Sequence, residues 1–92
     1  MPFEKRLPSP SRQRFAARLR EERLARDLTQ EGLGELADLS WNYIGQVERG
    51  LRNISIDNMD ALAQALGLPL ARLLLSRPAD ETAEVQTSSL PS

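Results

Sequence analysis

The segment from Thr29 to Gly50, TQEGLGELADLSWNYIGQVERG, leaves the chain few ways to fold. Thr29 starts a short helix to about Ala37. Ser40 starts another that Gly50 stops, so about three residues separate the two. Helices joined so closely must cross at a steep angle, which brings their backbones together. The contact then needs a small residue on the first helix, and Gly34 supplies it, one after the apolar Leu33. Leu33, Leu36 and Ala37 give this first helix its inward face. Ile44 and Val47, three apart, give the second helix its own.

The flanking sequence is helical as well. Ser11 is positioned to cap a helix running to about Arg26, with Phe15 and Leu19 facing inward at i, i+4. Ser55 caps a later helix with Asp57 in its first turn, where the helix dipole favours a negative charge, and Gly67 stops it. Met59, Leu62, Ala63 and Leu66 share one face of that helix. Asp57, Asn58, Asp60 and Gln64 lie away from it, and the three-residue spacing of the two Asp reads as a solvated face, not an acid–base pair. Pro69 fits the first turn of a last helix to about Ser76. No segment alternates apolar and polar residues with β-branched enrichment. The expectation is an all-α domain of five helices over 12–76. A flexible basic arm over 1–11 precedes it, and a polar, acidic tail over 77–92 too poor in apolar residues to order itself follows it.

Composition narrows the chemistry. The chain has no Cys and no His, which removes disulfides, thiol nucleophiles, Cys/His zinc sites and a His general base. No metal, cofactor or enzymatic activity is expected. No apolar run approaches the roughly 20 residues of a membrane helix, and the charged, Pro-rich start lacks a signal-peptide core, so a cytoplasmic protein is the default. The net charge of -1 hides an asymmetry. Residues 1–26 hold eight Lys and Arg against three Glu, and residues 27–92 hold four Arg against ten acids. Such a split points to a basic surface for an anionic partner, or to an ordinary solvated helix face.

Two short helices at this spacing form a helix-turn-helix, whose second helix can enter the major groove of DNA. The stretches LREERLARDLTQEGLGELA, LSWNYIGQVERG and RNISIDNMDALAQALGLPLARLL, taken in order, resemble the Cro and lambda-repressor-type (XRE) family. The run ERGLRNIS is similar to the family's restriction-modification controller branch. The resemblance spans about Leu19 to Leu74 and implies a lambda-repressor-like fold that binds DNA, as a dimer in the controller branch. The chain departs from the family pattern in two places. Asp38 stands at the turn position usually held by Gly, and Glu22 at a usually apolar position of the first helix.

With Ile44 and Val47 inward, Trp41, Asn42, Gly45, Gln46 and Arg49 are expected on the outer side of the third helix. Asn and Gln can pair with adenine through N6 and N7, so Gln46 and then Asn42 are the candidate base readers. Trp41 joins them with its contact open: a hydrophobic neighbour, a thymine methyl, or a phosphate reached by the indole N–H. The Tyr43 hydroxyl can meet a phosphate, or the ring can cover the core. The resemblance places Gln30 on a phosphate at the start of the second helix, where the helix N-terminus adds its partial charge. It places Arg49, Arg52 and Asn53 as a second phosphate clamp. Glu48 ends the third helix, where the dipole disfavours a negative charge, and so calls for a cation. The resemblance supplies Arg23.

The function expected is sequence-specific DNA-binding regulation of transcription, by a homodimer on a two-fold symmetric operator. Leu70, Leu73 and Leu74, with Leu75 off their stripe, offer either core packing or a dimer surface, and the homodimer is expected to form through this fifth helix. Two rivals stand beside this reading. One is an antitoxin whose tail binds a protein partner; the other is an interaction module that has kept the fold and lost DNA binding.

Overall fold

The computed structural model describes residues 7–75. They form five helices and, among the described residues, no strand: α1 (Pro10–Ala25), α2 (Gln30–Ala37), α3 (Trp41–Glu48), α4 (Ile56–Leu66) and α5 (Leu70–Leu74). The expected N-terminal arm up to Arg6 and the tail from Ser76 lie outside the described residues.

Four helices open on a side-chain cap that satisfies one of the orphan N–H groups of a first turn. Ser9 Oγ accepts from Arg12 N at 3.1 Å, Thr29 Oγ1 from Gly32 N at 2.9 Å, Ser40 Oγ from Tyr43 N at 3.1 Å and Ser55 Oγ from Asn58 N at 3.1 Å. The first of these corrects the sequence reading. The cap is Ser9, not Ser11, and Pro10 occupies the first helical position. Proline suits that place, because its φ is already helical and its missing N–H would have had no partner. The last helix starts at Leu70, and Pro69 is the residue before it.

Left-handed residues end the first four helices. Asp27 at φ 55° lets Leu28 N–H return to the Arg23 carbonyl, 3.1 Å, and so closes α1. Gly50 at φ 75° does the same for α3, with Leu51 N–H on the Gln46 carbonyl at 2.9 Å. Both are Schellman closures, and the first uses Asp where Gly is usual. Asp38 at φ 59° ends α2, and Gly67 at φ 73° ends α4.

The core is a single cluster of Phe15, Leu19, Leu33, Ile44, Val47, Leu62, Ala63, Leu66 and Leu73, so all five helices contribute to it. Helix α1 packs against α3, α4 and α5, while α2 packs against α3 and α4. Arg18 ties the ends together: its Nε donates to the Arg72 carbonyl of α5 at 3.3 Å. Two apolar assignments change. Leu36 is 60% exposed, because Leu33 and Ala37 complete the inward stripe of α2 and leave Leu36 on its flank. Leu73 is fully enclosed in the core of its own domain and offers no surface to a partner. Leu75 is exposed, and Leu70 and Leu74 are partly so.

Helices α2 and α3 meet at Gly34. A Cβ there would sit 2.5 Å from the Leu39 carbonyl oxygen, which is backbone and cannot swing aside. The Leu39 N–H bonds to the Gly34 carbonyl at 2.9 Å, so the turn is folded directly onto this residue.

Candidate nucleic-acid interface

The dipole argument for Glu48 leads to a buried ion pair. Arg23 Nε donates to Glu48 Oε2 at 2.7 Å and Nη2 to Oε1 at 2.9 Å, a fork-on-fork geometry in which both side chains are nearly enclosed. The third guanidinium nitrogen, Nη1, donates to the Leu28 carbonyl at 2.8 Å. Arg23 therefore fastens α3 to α1 and holds the turn that leads into α2. The hydrogen bonds to Glu48 push the guanidinium pKa above its ordinary value. Burial opposes them, and the charge of Glu48 adds to them. Arg23 stays charged wherever the domain is folded.

Glu48 carries a third donor. Gln30 Nε2 reaches Glu48 Oε1 at 3.2 Å, and its amide lies across Gly45. A Cβ at Gly45 would approach Gln30 Oε1 to 3.2 Å. Gly45 is consequently buried, not on the outer side of α3 where the sequence reading put it. The first residue of α2 is thus aimed by a carboxylate at the end of α3.

The outer side of α3 carries Trp41 and Asn42, both exposed, with Gln46 half-buried behind them. Trp41 is 54% exposed and takes no part in the core. Its indole stands between two shallow hollows. One is lined by Glu31, Gly34, Glu35, Asp38, Leu39 and Ser40, the other by Arg23, Thr29, Gln30 and Glu31. Tyr43 is half-buried against the core, and its hydroxyl accepts from Asn58 Nδ2 at 3.2 Å, so its own proton is still available to an acceptor. Arg49, Arg52 and Asn53 are exposed at the end of α3 and in the loop after it. The structure gathers Gln30, Trp41, Asn42, Tyr43, Gln46, Arg49 and Arg52 around α3.

One contact was not visible from sequence. Arg52 Nε donates to Gln46 Oε1 at 2.6 Å, and its guanidinium carbon lies 5.4 Å from the Tyr43 ring centroid. No helical period joins residues six apart across a glycine; only the reversal of the chain at Gly50 brings them together.

Two arginines of α1 and the turn after it are paired with acids of the same helix. Arg18 is paired with Glu21 and Glu22 at 3.3 and 3.1 Å, and Arg26 with Glu22 at 2.6 Å. Glu22, at a usually apolar position, thus serves two arginines. No helix among the described residues is long and apolar enough to cross a membrane.

Comparison with known proteins places this arrangement. The helix-turn-helix family model HTH_3 matches residues 19–73. The control protein C.BamHI of Bacillus amyloliquefaciens is 39% identical over 61 residues, which is 65% of this chain and 75% of that protein. The crystal structure of the restriction-modification controller protein C.AhdI from Aeromonas hydrophila superposes with a TM-score of 0.67 at 43% identity, covering 71% of this chain and 98% of that one. A hypothetical transcription factor from Neisseria, NHTF, superposes at 0.73 with 31% identity, covering 85% and 91%. With an XRE-type pair of crossed helices locked by Gly34 and a recognition-type helix tied back by Arg23, the chain belongs to the helix-turn-helix family of DNA-binding transcriptional regulators, whose members similar to it include restriction-modification control proteins.

Proposed function

We propose that the protein is a sequence-specific, non-enzymatic regulator of transcription that binds a two-fold symmetric operator as a homodimer in the cytoplasm. The observation that carries this reading is the exposed N-terminal half of α3, flanked by donors on both sides. Gln30 lies at the start of α2, and Arg49, Arg52 and Asn53 lie beyond the end of α3. A helix presented in this way can lie in the major groove with phosphates within reach of its flanks. Asn42 and Gln46 are the base readers in this reading, and Trp41 meets a base or the groove wall. Gln30, Tyr43, Arg49 and Asn53 hold phosphates. Similarity to control proteins of restriction-modification systems supports regulation by occupancy.

One recognition helix makes too small an interface to select a site in a genome, and two half-sites about one helical turn apart suffice. The dimer surface proposed is the outer side of α5, formed by Leu70, Leu74 and Leu75 without the buried Leu73. Selection of bound duplexes from a random pool tests the whole reading. The expected product is an inverted repeat with half-site centres roughly 10 base pairs apart. A pool that shows no enrichment overturns it.

A further inference from the structure

The pairing of Arg52 with Gln46 changes what α3 offers at its reading edge. A guanidinium has donors only, so the amide atom facing Arg52 Nε at 2.6 Å is the Gln46 carbonyl oxygen, and the amide NH2 must point away. The arrangement is held at several points. The Gln46 backbone carbonyl is bound by Leu51 N–H at 2.9 Å, which turns the loop back along α3. The Arg52 guanidinium rests on the Tyr43 ring, and Tyr43 is in turn tied to α4 through Asn58.

Adenine recognition by a glutamine uses both ends of the amide: the oxygen accepts from N6 and the nitrogen donates to N7. Here a charged donor already holds one of the two lone pairs of that oxygen. The positive guanidinium at the oxygen disfavours the approach of the N6 amino group, another donor, while the amide NH2 and the remaining N–H groups of Arg52 favour acceptors. In the major groove guanine presents two adjacent acceptors, O6 and N7. We propose that Gln46 and Arg52 form one donor-rich reading unit for guanine, in which Arg52 sets base preference by fixing the Gln46 amide. Arg52 is then a specificity-determining positioning residue, not a sequence-blind phosphate clamp. This rests on the reading of α3 as the recognition helix.

The test is selection from a random duplex pool with the full-length chain and with Gln46→Ala, Arg52→Ala and Arg52→Lys. Affinities follow on duplexes that differ only at the position Gln46→Ala relaxes. The wild-type protein should favour guanine there by roughly tenfold or more over adenine. Arg52→Ala should move the preference at that one position to adenine and leave the other positions as they were. Arg52→Lys keeps the charge but cannot reproduce the Nε geometry, so it should shift base preference in the same way. If Arg52→Ala weakens every duplex by the same factor and guanine stays preferred, or if the wild type prefers adenine at that position, the unit does not exist. An unenriched wild-type pool would overturn the DNA-binding reading and this inference together, which separates the two failures.

Discussion

A single carboxylate, Glu48, receives donors from Arg23 on α1 and Gln30 on α2. Removing one member of a buried pair leaves the other charged and unsolvated, a cost of about 3–5 kcal/mol. Arg23→Met and Glu48→Gln should each lower stability to urea by that order. The double variant should lose far less than the sum, and strict additivity in the cycle would contradict the coupling. Gly45→Ala separates stability from binding. The new methyl meets only the flexible end of Gln30, and alanine gains about 1 kcal/mol of helix propensity over glycine. The melting temperature should hold or rise while affinity for the selected operator falls several-fold, because the Gln30 amide is pushed off its place over α3. Equal affinity for the operator would show that Gln30 makes no DNA contact.

Among the elements, the α2–α3 corner is the least forgiving. Gly34→Ala drives a Cβ into the Leu39 carbonyl, and overpacking of this kind costs about 1–3 kcal/mol even after the helix gains its alanine. Gly67→Ala meets open space and should cost about 1 kcal/mol from the left-handed backbone alone. Chemical denaturation of both variants checks the order. Reversal would place the close approach elsewhere. The corner was legible in the sequence because it needs one small residue at one spacing, and the five helices because serine, threonine, proline and glycine punctuate them. The cap expected at Ser11 lies at Ser9, and Pro10 carried the signal, since a proline belongs one place inside a cap. Leu36 was misplaced because a helix of eight residues shows barely two turns of periodicity, too few to set the width of its apolar stripe. The Gln46–Arg52 bond was illegible for a different reason. It depends on where a reversal sends the chain, and no repeat in the sequence encodes that.

For the molecule as a whole, charge in space differs from charge along the chain. Arg18, Arg23 and Arg26 are all neutralised by acids of the same domain. Arg49→Ala should therefore reduce the slope of log K against log salt by about one per half-site, since one fewer counterion is released. Arg18→Ala should leave that slope unchanged, and a fall of similar size would mean the ion pairs open on DNA. Sedimentation at micromolar concentration should show a dimer, and Leu75→Glu, on the exposed side of α5, should shift it to monomer without unfolding it. A wild-type monomer that binds DNA as one copy would refute the α5 surface. Glu48 also bears on how such a protein can diverge. The same oxygen anchors the scaffold and aims the leading side chain of α2, so any change at residue 48 is pleiotropic. On the proposed reading, in which Gln30 holds a phosphate, a lineage that alters the anchor changes its affinity for every operator in the same step, and new specificities are reached more readily from positions such as Asn42 that the scaffold does not share.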